Sequence, residues 1–324
     1  MYDIVALGEA LIDFTPSGVN DMGMQLFARN PGGAPANVLA MNAKLGGKTA
    51  FIGKVGRDDF GRFLKDTMRN AGIDVSGVCE SGEVNTTLAF VHLKENGDRS
   101  FSFYRKPGAD VLLRAEEVDA RLVTHCRVFH FGSVSLTDEP CRGATLAAAA
   151  MARKAGAVIS YDPNYRPLLW DSEAHAKAKI LKGLRLADIV KVSEEEMTLL
   201  TGECDLKAGA AALSDGRAAL VLITLGPKGA FYYTENCSGL LPAYDVKTVD
   251  TTGAGDAFWG ALLYCLGGKA LADIKAMTAP EWARCIAFSN AAGSLTTAKK
   301  GAIPAMPTLA EIKACVKDTP VLQL

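Results

Sequence analysis

Residues 250–260, DTTGAGDAFWG, place a glycine-rich turn and a carboxylate at the start of a predicted helix. Exposed backbone N–H groups and the positive helix end make such a turn suited to an anion. Asp256 would repel a phosphate there, so its presence needs its own explanation. One explanation is that Asp256 is a helix cap, because aspartate is a favoured N-cap residue. The other is that an anion and a carboxylate are both needed at one place.

Transfer of a phosphoryl group to a hydroxyl needs both features. The backbone N–H groups of Gly253, Ala254 and Gly255 would form an anion hole that stabilises charge on the migrating phosphoryl group. Asp256, kept ionised by the helix end, would be the general base that takes the proton from the attacking hydroxyl. Spacing alone does not separate this hypothesis from a cap, but a cap does not need the TTGAG stretch before it.

A second glycine turn occurs in NPGGAPANVLAMNAKLGG, residues 30–47. Gly32 and Gly33 predict a tight backbone turn, and Pro35 suits a first helical turn. Asn37 then lies beside free N–H groups, where it could grip the hydroxyls of a polar ligand. A plain loop-to-helix junction explains this segment equally well on its own.

Alternating strand and helix patterns position both turns. Amphipathic stretches such as 58–72 and 139–156 predict helices. Repeated βα units favour a mostly parallel sheet covered by helices on both faces, with ligands at the carboxyl ends of the strands. Six runs predict strands: IVALG, TAFIGKVG, RVFHFGSVSL, AVISYDPN, ADIVKVS and AALVLITLG.

Two segments depart from this alternation. Residues 86–105 show two alternating strands around an ENGD turn at 95–98, which predicts a β-hairpin. Residues 13–31 also look extended. Together they predict a small antiparallel sheet that stands off the main domain. Its exposed face would need covering by a ligand or by another subunit.

The composition is that of an ordinary soluble globular protein. The chain has 324 residues, 49% of them hydrophobic, and a net charge of −1, which gives no reason to expect nucleic acid or a membrane as partner. Eight scattered cysteines without a CxxC pair suit reduced thiols. The start of the chain lacks the features of a signal peptide, so we expect a cytoplasmic protein.

The segments GGAPAN and DTTGAGDAFWGAL together resemble the two signatures of the ribokinase-like (PfkB) carbohydrate kinases, in order and separation, over essentially the whole chain. The resemblance implies a single doubly wound α/β kinase domain over residues 1–324. It implies a β-sheet lid formed by approximately 13–31 and 86–107. It also implies ATP with Mg²⁺ and phosphorylation of a sugar or nucleoside hydroxyl.

The family's binding roles can be carried over to matching positions. The sugar-binding set resembles Asp13, Gly32, Gly33 and Asn37. The nucleotide-binding set resembles Thr224, Gly226, Lys228 and Gly229 near the phosphates, with Asn290 at the adenosine. The NxxE motif, linked to Mg²⁺ and phosphate, appears with Ser193 in place of the asparagine and with Glu196 retained. A possible K⁺ site, mainly of backbone carbonyls, resembles Asp250, Thr252, Thr296, Lys299 and Gly301, with Ala305 in place of a serine.

Three further segments, GEALIDF, FYRKPGAD and DPNYRPLLW, look most like the bacterial fructokinases of this family. The expected reaction is therefore conversion of D-fructose to fructose 6-phosphate. Arg105 would reach from the lid toward the substrate, and Arg166, which follows Asn164 at a strand end, would also bind it. A surface ion pair is the alternative for each arginine.

Several alternatives compete with the fructokinase hypothesis. Since an arginine can bind a carboxylate, 2-keto-3-deoxygluconate kinase is the closest alternative, and ribokinase or nucleoside kinase are less favoured. A Rossmann dehydrogenase would need a GxGxxG motif, which GEALID does not supply. A catalytically inactive sugar-binding regulator is the alternative outside enzymes. The exposed face of the lid suggests a homodimer.

Overall fold

The computed structural model describes residues 1–93 and 99–323, and these form two β-sheets and a set of flanking helices. The strands are β1 Tyr2–Leu7, β2 Leu11–Val19, β3 Gln25–Gly32, β4 Thr49–Gly56, β5 Ile73–Ser81, β6 Leu88–Leu93, β7 Arg99–Tyr104, β8 Cys126–Gly132, β9 Val158–Asp162, β10 Ile189–Ser193, β11 Leu220–Thr224, β12 Ala230–Tyr233 and β13 Ser238–Leu241. The helices are α1 Ala34–Lys44, α2 Asp59–Asn70, α3 Ala120–Thr124, α4 Cys141–Lys154, α5 Glu173–Leu184, α6 Glu194–Thr201, α7 Leu206–Ser214, α8 Ala254–Cys265, α9 Leu271–Lys275, α10 Ala279–Thr296 and α11 Leu309–Asp318.

The main sheet has nine strands in the order β13-β12-β11-β10-β9-β8-β1-β4-β5. The seven strands β11, β10, β9, β8, β1, β4 and β5 pair with one another in parallel, and β12 and β13 add an antiparallel edge next to β11. The chain leaves β1 in one direction through β4 and in the other through β8, so the strand order reverses beside β1. Ligands of doubly wound sheets bind at such a point, outside the carboxyl ends of the strands.

Side chains of the main sheet alternate between two apolar cores, because successive residues of a strand point to opposite faces of the sheet. Ile4 and Ile189 pack in the core shared with α1, α8 and α10. Val5 and Val190 pack in the core shared with α4 to α7. Both faces are therefore covered, which confirms the mostly parallel, doubly wound α/β fold predicted from the alternating patterns.

The small sheet has four strands in the order β3-β2-β6-β7. It confirms that residues 13–31 and the strands of the 86–105 segment join in a separate sheet. The β2–β3 and β6–β7 pairs are antiparallel, but β2 pairs with β6 in parallel. The expectation of a wholly antiparallel sheet was therefore wrong, because the two hairpins join through strands that run the same way. The ENGD turn at 95–98 lies outside the described residues.

Two local expectations also need correction. The SVSL end of one predicted strand forms a short 3₁₀ turn instead, in which the Leu136 N–H donates to the Ser133 oxygen at 2.8 Å. Strands β5, β12 and β13 were not predicted, since they are short or lack a continuous β-branched run. Among the described residues, no helix combines the length and the apolar character needed to cross a bilayer.

Candidate active site

Helix α8 begins in the glycine turn of residues 250–255. Its N-cap is Gly253, with φ of 76°, and no side chain caps it. A Cβ at residue 253 would lie 2.5 Å from the Cβ of Ala302, so both the backbone angle and the close approach require glycine. Asp256 is the third helical residue and is buried. The helix-cap explanation of Asp256 is therefore excluded.

Two amides orient the Asp256 carboxylate. Asn37 Nδ2 donates to Oδ2 at 2.8 Å, and Asn164 Nδ2 donates to Oδ1 at 3.4 Å. Helices α1 and α8 cross closely where a Cβ at Gly260 would lie 2.5 Å from the Val38 oxygen. This crossing brings the first turns of both helices together. Asn37 and Asp256, far apart in the sequence, meet as a result.

The Asn37 side chain has one oxygen left for a ligand. Its amide nitrogen is fixed on the Asp256 carboxylate, since an amide oxygen cannot donate to it. The amide oxygen, Oδ1, is buried and has no hydrogen-bond partner among the described residues. A buried acceptor without a partner is costly, so a hydroxyl donor from a ligand would stabilise it.

The electrostatic setting of Asp256 differs from the expectation. Burial raises the pKa of Asp256 above its ordinary value, although Lys191 and the Asn37 hydrogen bond oppose the shift. The helix end alone was expected to favour the ionised form. Desolvation outweighs that effect because the carboxylate is almost inaccessible to water. A raised pKa makes the carboxylate a stronger base, which suits proton abstraction near neutral pH.

The second glycine turn positions Asp13. Gly33 is the N-cap of α1 with φ of 122°, and a Cβ there would lie 2.4 Å from the Glu9 oxygen. Gly32 lies directly against the Asp13 carboxylate. Burial raises the pKa of Asp13 to about 6, Arg166 opposes the shift and Asp256 adds to it. The structure thus places the predicted sugar-binding residues close to Asp256.

Beneath this turn lies a carboxyl group that the sequence did not single out. Glu9 Oε1 accepts from the Ala34 N–H at 3.0 Å, and Oε2 is buried with no partner among the described residues. Burial raises the pKa of Glu9 to about 7, despite its backbone hydrogen bonds. Glu9 therefore supports the glycine turn that precedes α1.

Arg105 is held by residues of the main domain. Its guanidinium is buried and bonds to Asp110 Oδ2 at 2.8 Å, Thr137 Oγ1 at 2.9 Å and the Val134 oxygen at 3.0 Å. The alternative of a surface ion pair is wrong, because the Arg105–Asp110 pair is 4% and 2% exposed. A buried guanidinium needs such partners to offset desolvation. Arg105 thus fastens the end of β7 to the main domain.

Arg166 takes a different position. It is exposed, and its Nη1 lies 3.4 Å from the Asn164 oxygen and 3.2 Å from the Tyr165 oxygen. Its charge lowers the pKa values of Asp13 and Asp256. Asn164 itself adopts a left-handed backbone with φ of 49°, which asparagine tolerates. Arg166 therefore lies at the mouth of the site.

Asp162 and Lys191 were missed by sequence reasoning. Asp162 ends β9, and Lys191 Nζ donates to its Oδ2 at 2.5 Å. Both are buried, and Asp162 Oδ1 has no hydrogen-bond partner among the described residues. The available signal was a lysine inside the apolar run ADIVKVS of a central strand, where a charge is rare.

Ser193 and Glu196 form the start of α6. Ser193 is the N-cap, its Oγ accepts from the Glu196 N–H at 3.1 Å, and Glu196 Oε2 accepts from the Ser193 N–H at 2.8 Å. Glu196 Oε1 accepts from the Tyr165 N–H at 2.5 Å. This capping box fixes the carboxylate at the carboxyl end of β10. Serine at the asparagine position of the motif thus acts as a cap.

A cavity of about 460 Å³ opens beside these groups. Its size is within the range of small-molecule sites. Polar side chains of three successive segments line it, including Asp162, Asn164, Arg166, Lys191 and Glu196. The cavity therefore opens at the ends of β9 and β10, beside the Asn164 amide that donates to Asp256.

The predicted nucleotide residues converge on one stretch of chain. Thr224 ends β11, and Gly226 and Lys228 lie in the following 3₁₀ turn. A Cβ at Gly229 would lie 2.0 Å from the Leu241 oxygen, and Asn290 Nδ2 donates to that oxygen at 2.9 Å and to the Pro242 oxygen at 3.0 Å. The loop after β11 and helix α10 thus contact the same backbone segment at Leu241.

The loop proposed for a monovalent cation packs behind α8. Asp250 Oδ1 accepts from the Thr252 N–H at 3.0 Å and hydroxyl at 2.7 Å, and Oδ2 accepts from the Gly301 N–H at 3.0 Å. Thr296 is buried, and its hydroxyl donates to the Ala292 oxygen. Lys299 forms an ion pair in which its Nζ lies 3.5 Å from Glu311 Oε1. Across residues 1–93 and 99–323, no three His, Cys, Asp or Glu side chains group as a metal cluster.

Comparison with known proteins identifies related chains. The model of the pfkB family carbohydrate kinases matches residues 1–309. Probable fructokinase-5 of Arabidopsis thaliana is 46% identical over 320 residues, which are 97% of this chain and 97% of that protein.

Solved structures give a similar result. A structure of the Xylella fastidiosa fructokinase with bound ATP superposes with a TM-score of 0.91 at 35% identity, over 98% of this chain and 99% of that one. A double mutant of the Vibrio cholerae O395 fructokinase, in a form with fructose, ADP and potassium ion, superposes with a TM-score of 0.86 at 35% identity, over 97% and 98% of the two chains.

Proposed function

Since the chain belongs to the pfkB family of carbohydrate kinases, we propose that it is a fructokinase that transfers the γ-phosphoryl group of ATP to D-fructose and forms fructose 6-phosphate. The observation that carries the proposal is the meeting of a buried carboxylate with a glycine-led helix start, at Asp256 and Gly253. The similarity to plant and bacterial fructokinases supports the choice of acceptor.

Asp256 acts as the general base in this proposal. Its carboxylate, oriented by Asn37 and Asn164, accepts the proton of the attacking hydroxyl. The first-turn amides of α8 lack intrahelical acceptors and face the phosphoryl group. The Ala254 N–H also donates to the Thr251 oxygen, but at a long 3.3 Å. Backbone charge at this helix start therefore stabilises the group in transfer.

The sugar hydroxyls bind on the α1 side of the base. Asp13 accepts hydrogen bonds from them, Asn37 offers its free Oδ1, and the Gly32–Gly33 turn lets the sugar ring approach the backbone. Arg166 lies at the mouth, where it would bind either a hydroxyl or a phosphate oxygen. A carboxylate-bearing acceptor would use the same arginine, which keeps 2-keto-3-deoxygluconate as the alternative to test.

ATP binds along the loop after β11, with its phosphates directed at the start of α8. Magnesium needs one or two carboxylates in addition to phosphate and water oxygens. Glu196, whose carboxylate is fixed by backbone N–H groups at the carboxyl end of β10, fits that need and would hold the ion indirectly. The bound metal neutralises phosphate charge. The protein's own residues position the base, the hydroxyl and the anion hole.

Potassium is a further proposed ligand of this chain. A V. cholerae fructokinase structure contains potassium ion, and the loop of Asp250, Thr252 and Gly301 here is tightly fastened behind α8. Backbone carbonyls of this loop would bind the ion. Ala305 is buried and supplies no hydroxyl, so the site would have one side-chain ligand fewer than a serine at that position allows.

The small sheet acts as a lid over the sugar and as the contact of a homodimer in this proposal. Closure excludes water, which would compete as a nucleophile for the γ-phosphate. Exposed apolar residues on the small sheet support the dimer. Eight free cysteines support a reducing, cytoplasmic location.

The test is an ADP-release assay with ATP and each of four acceptors: fructose, ribose, 2-keto-3-deoxygluconate and a nucleoside. We expect fructose to give the highest kcat/KM. Turnover with the keto acid instead would assign the alternative reaction. Binding of fructose without ADP release from any acceptor would indicate a catalytically inactive sugar-binding protein.

A further inference from the structure

Lys191 is a buried cation that the reaction described above does not use. It lies in the middle of β10, and its side chain is 8% exposed. Strand alternation places it on the same face as Ile189, which packs in the core with α8. The lysine therefore faces the helix that carries the base, and its stem lies within the apolar core.

The Lys191 ammonium lies close to the first turn of α8. A Cβ at Gly255 would lie 3.5 Å from Nζ and 3.6 Å from Cε, which are ordinary contact distances. Packing against Lys191 therefore does not demand glycine at 255. The small residue leaves open space between the ammonium and the first turn of α8.

Three carboxylates hold the charge on this ammonium. Asp162, Glu196 and Asp256 together raise the pKa of Lys191 above its ordinary value, although burial alone would lower it. Asp162 makes the direct ion pair at 2.5 Å. The lysine thus stays charged in a place where desolvation favours the neutral form.

We propose that Lys191 is a catalytic residue whose ammonium lies against the migrating phosphoryl group and stabilises its negative charge, together with the amides of the α8 start. This inference rests on the proposed kinase function. A fixed charge in a buried site needs no reorganisation during the reaction, so its effect exceeds that of the same charge in water. The competing explanation is that Lys191 only neutralises Asp162.

The test uses variants that separate these two explanations. Lys191→Met keeps the length of the stem and removes the charge, both in the native chain and in an Asp162→Asn background. The control is Lys54→Met, which removes another buried strand lysine, paired with Glu117 at 2.6 Å and outside the site. Circular dichroism and thermal melts confirm that each variant folds.

The readout is binding of ADP with fructose, measured by calorimetry without and with aluminium fluoride, which mimics the phosphoryl group in transfer. We expect Lys191→Met to weaken binding of the aluminium fluoride complex by roughly 10–10²-fold, in both backgrounds, and to leave ADP binding within about threefold. The same fall is expected in kcat, with KM for fructose little changed. Lys54→Met is expected to bind both like the native chain.

Two results would overturn the inference. One is an effect of Lys191→Met that disappears in the Asp162→Asn background, since that shows a purely structural pair. The other is an equal loss of ADP and of aluminium fluoride complex. Failure of the native chain to phosphorylate fructose is a separate outcome and bears on the proposed function.

Discussion

Charged side chains are buried at the carboxyl edge of the main sheet, whereas large apolar side chains are exposed on the small sheet. The buried charged residues of the edge are Asp162, Lys191, Glu196 and Asp256. The exposed apolar residues of the small sheet and its β2–β3 turn are Val19, Met22, Met24, Leu26, Phe27 and Tyr104. Charged side chains usually lie at the surface and large apolar side chains in the interior, so each region departs from the usual distribution.

The two reversals have different physical meanings. A buried charge costs free energy unless it is paired, so a cluster of such charges persists where fixed electrostatics are useful. An exposed apolar patch costs free energy through contact with water, so it is typical of a surface that another body covers. The first indicates chemistry inside the molecule, and the second indicates a contact outside it.

The largest expected effect comes from the edge of the main sheet. Asp256→Asn removes the proposed base and keeps the side-chain shape, so we expect kcat to fall by ~10²–10⁴ while fructose binding stays nearly intact. Because burial raises the pKa of Asp256, kcat of the native chain should fall on acidification with an apparent pKa above that of an ordinary aspartate. Steady-state kinetics and calorimetry across pH measure both.

Asp205→Asn is the matched control for this substitution. Asp205 is an exposed N-cap of α7, and asparagine caps equally well, so activity should not change. An Asp256→Asn variant with native kcat would show that Asp256 is not the base. It would also contradict the catalytic interpretation of the buried charged residues.

Glu9 gives the next largest effect, on stability. Its folded pKa is about 7 against an ordinary 4.5, so the neutral form is favoured in the folded state. The resulting stabilisation is complete below pH 4.5 and is lost as the pH rises through 7. Glu9→Gln removes this dependence. The quantity to compare is the unfolding free energy of the variant minus that of the native chain. This difference should be about 3 kcal/mol more favourable to the variant at pH 8 than at low pH, at about 1.4 kcal/mol per pKa unit.

Denaturant unfolding at several pH values between 5 and 8 measures that gain. Glu203→Gln is the control, since it makes the same change at an exposed position. A pH-independent difference for Glu9→Gln would show that the charge at Glu9 is not disfavoured in the folded chain.

The small sheet should respond to a change in its exposed surface. Leu26 is 45% exposed, and Leu26→Asp would place a charge in the proposed dimer contact. We expect light scattering to show a dimer for the native chain and a monomer for this variant. Met151→Asp, at a 38% exposed position on α4, should leave the dimer intact. A monomeric native chain would show that the exposed apolar residues of the small sheet do not form a dimer contact.

A smaller effect is expected from sugar binding to the lid. If the small sheet closes over fructose, amide hydrogen exchange in β6 and β7 should slow by roughly tenfold on addition of the sugar. Exchange in α11, remote from the site, serves as the internal reference. Equal exchange in β6 and β7 with and without fructose would contradict closure.

The fold and part of the site could be predicted from the sequence. The glycine turns at Gly33 and Gly253 are legible because each needs a left-handed backbone that glycine supplies. Their meeting follows from the close crossing of α1 and α8 at Gly260. The alternation of β-branched runs with helical runs predicted the mostly parallel sheet.

Other parts of the site depend on tertiary packing. Arg105 looks like a lid residue in the sequence, but Asp110 is five residues further on and takes its guanidinium into the interior. In the sequence, Lys191 is a charged residue inside an apolar strand. Only the folded chain shows that its charge is paired with Asp162. The direction of the Asp256 pKa shift could not be predicted, because burial in the folded chain outweighs the local helix end.

One residue, Gly33, separates strand β3 of the small sheet from helix α1 of the main domain. A swing of the small sheet would therefore pivot four residues from Asn37, whose amide donates to Asp256. If the proposed lid moves when sugar binds, that motion would reach the proposed base through this single residue.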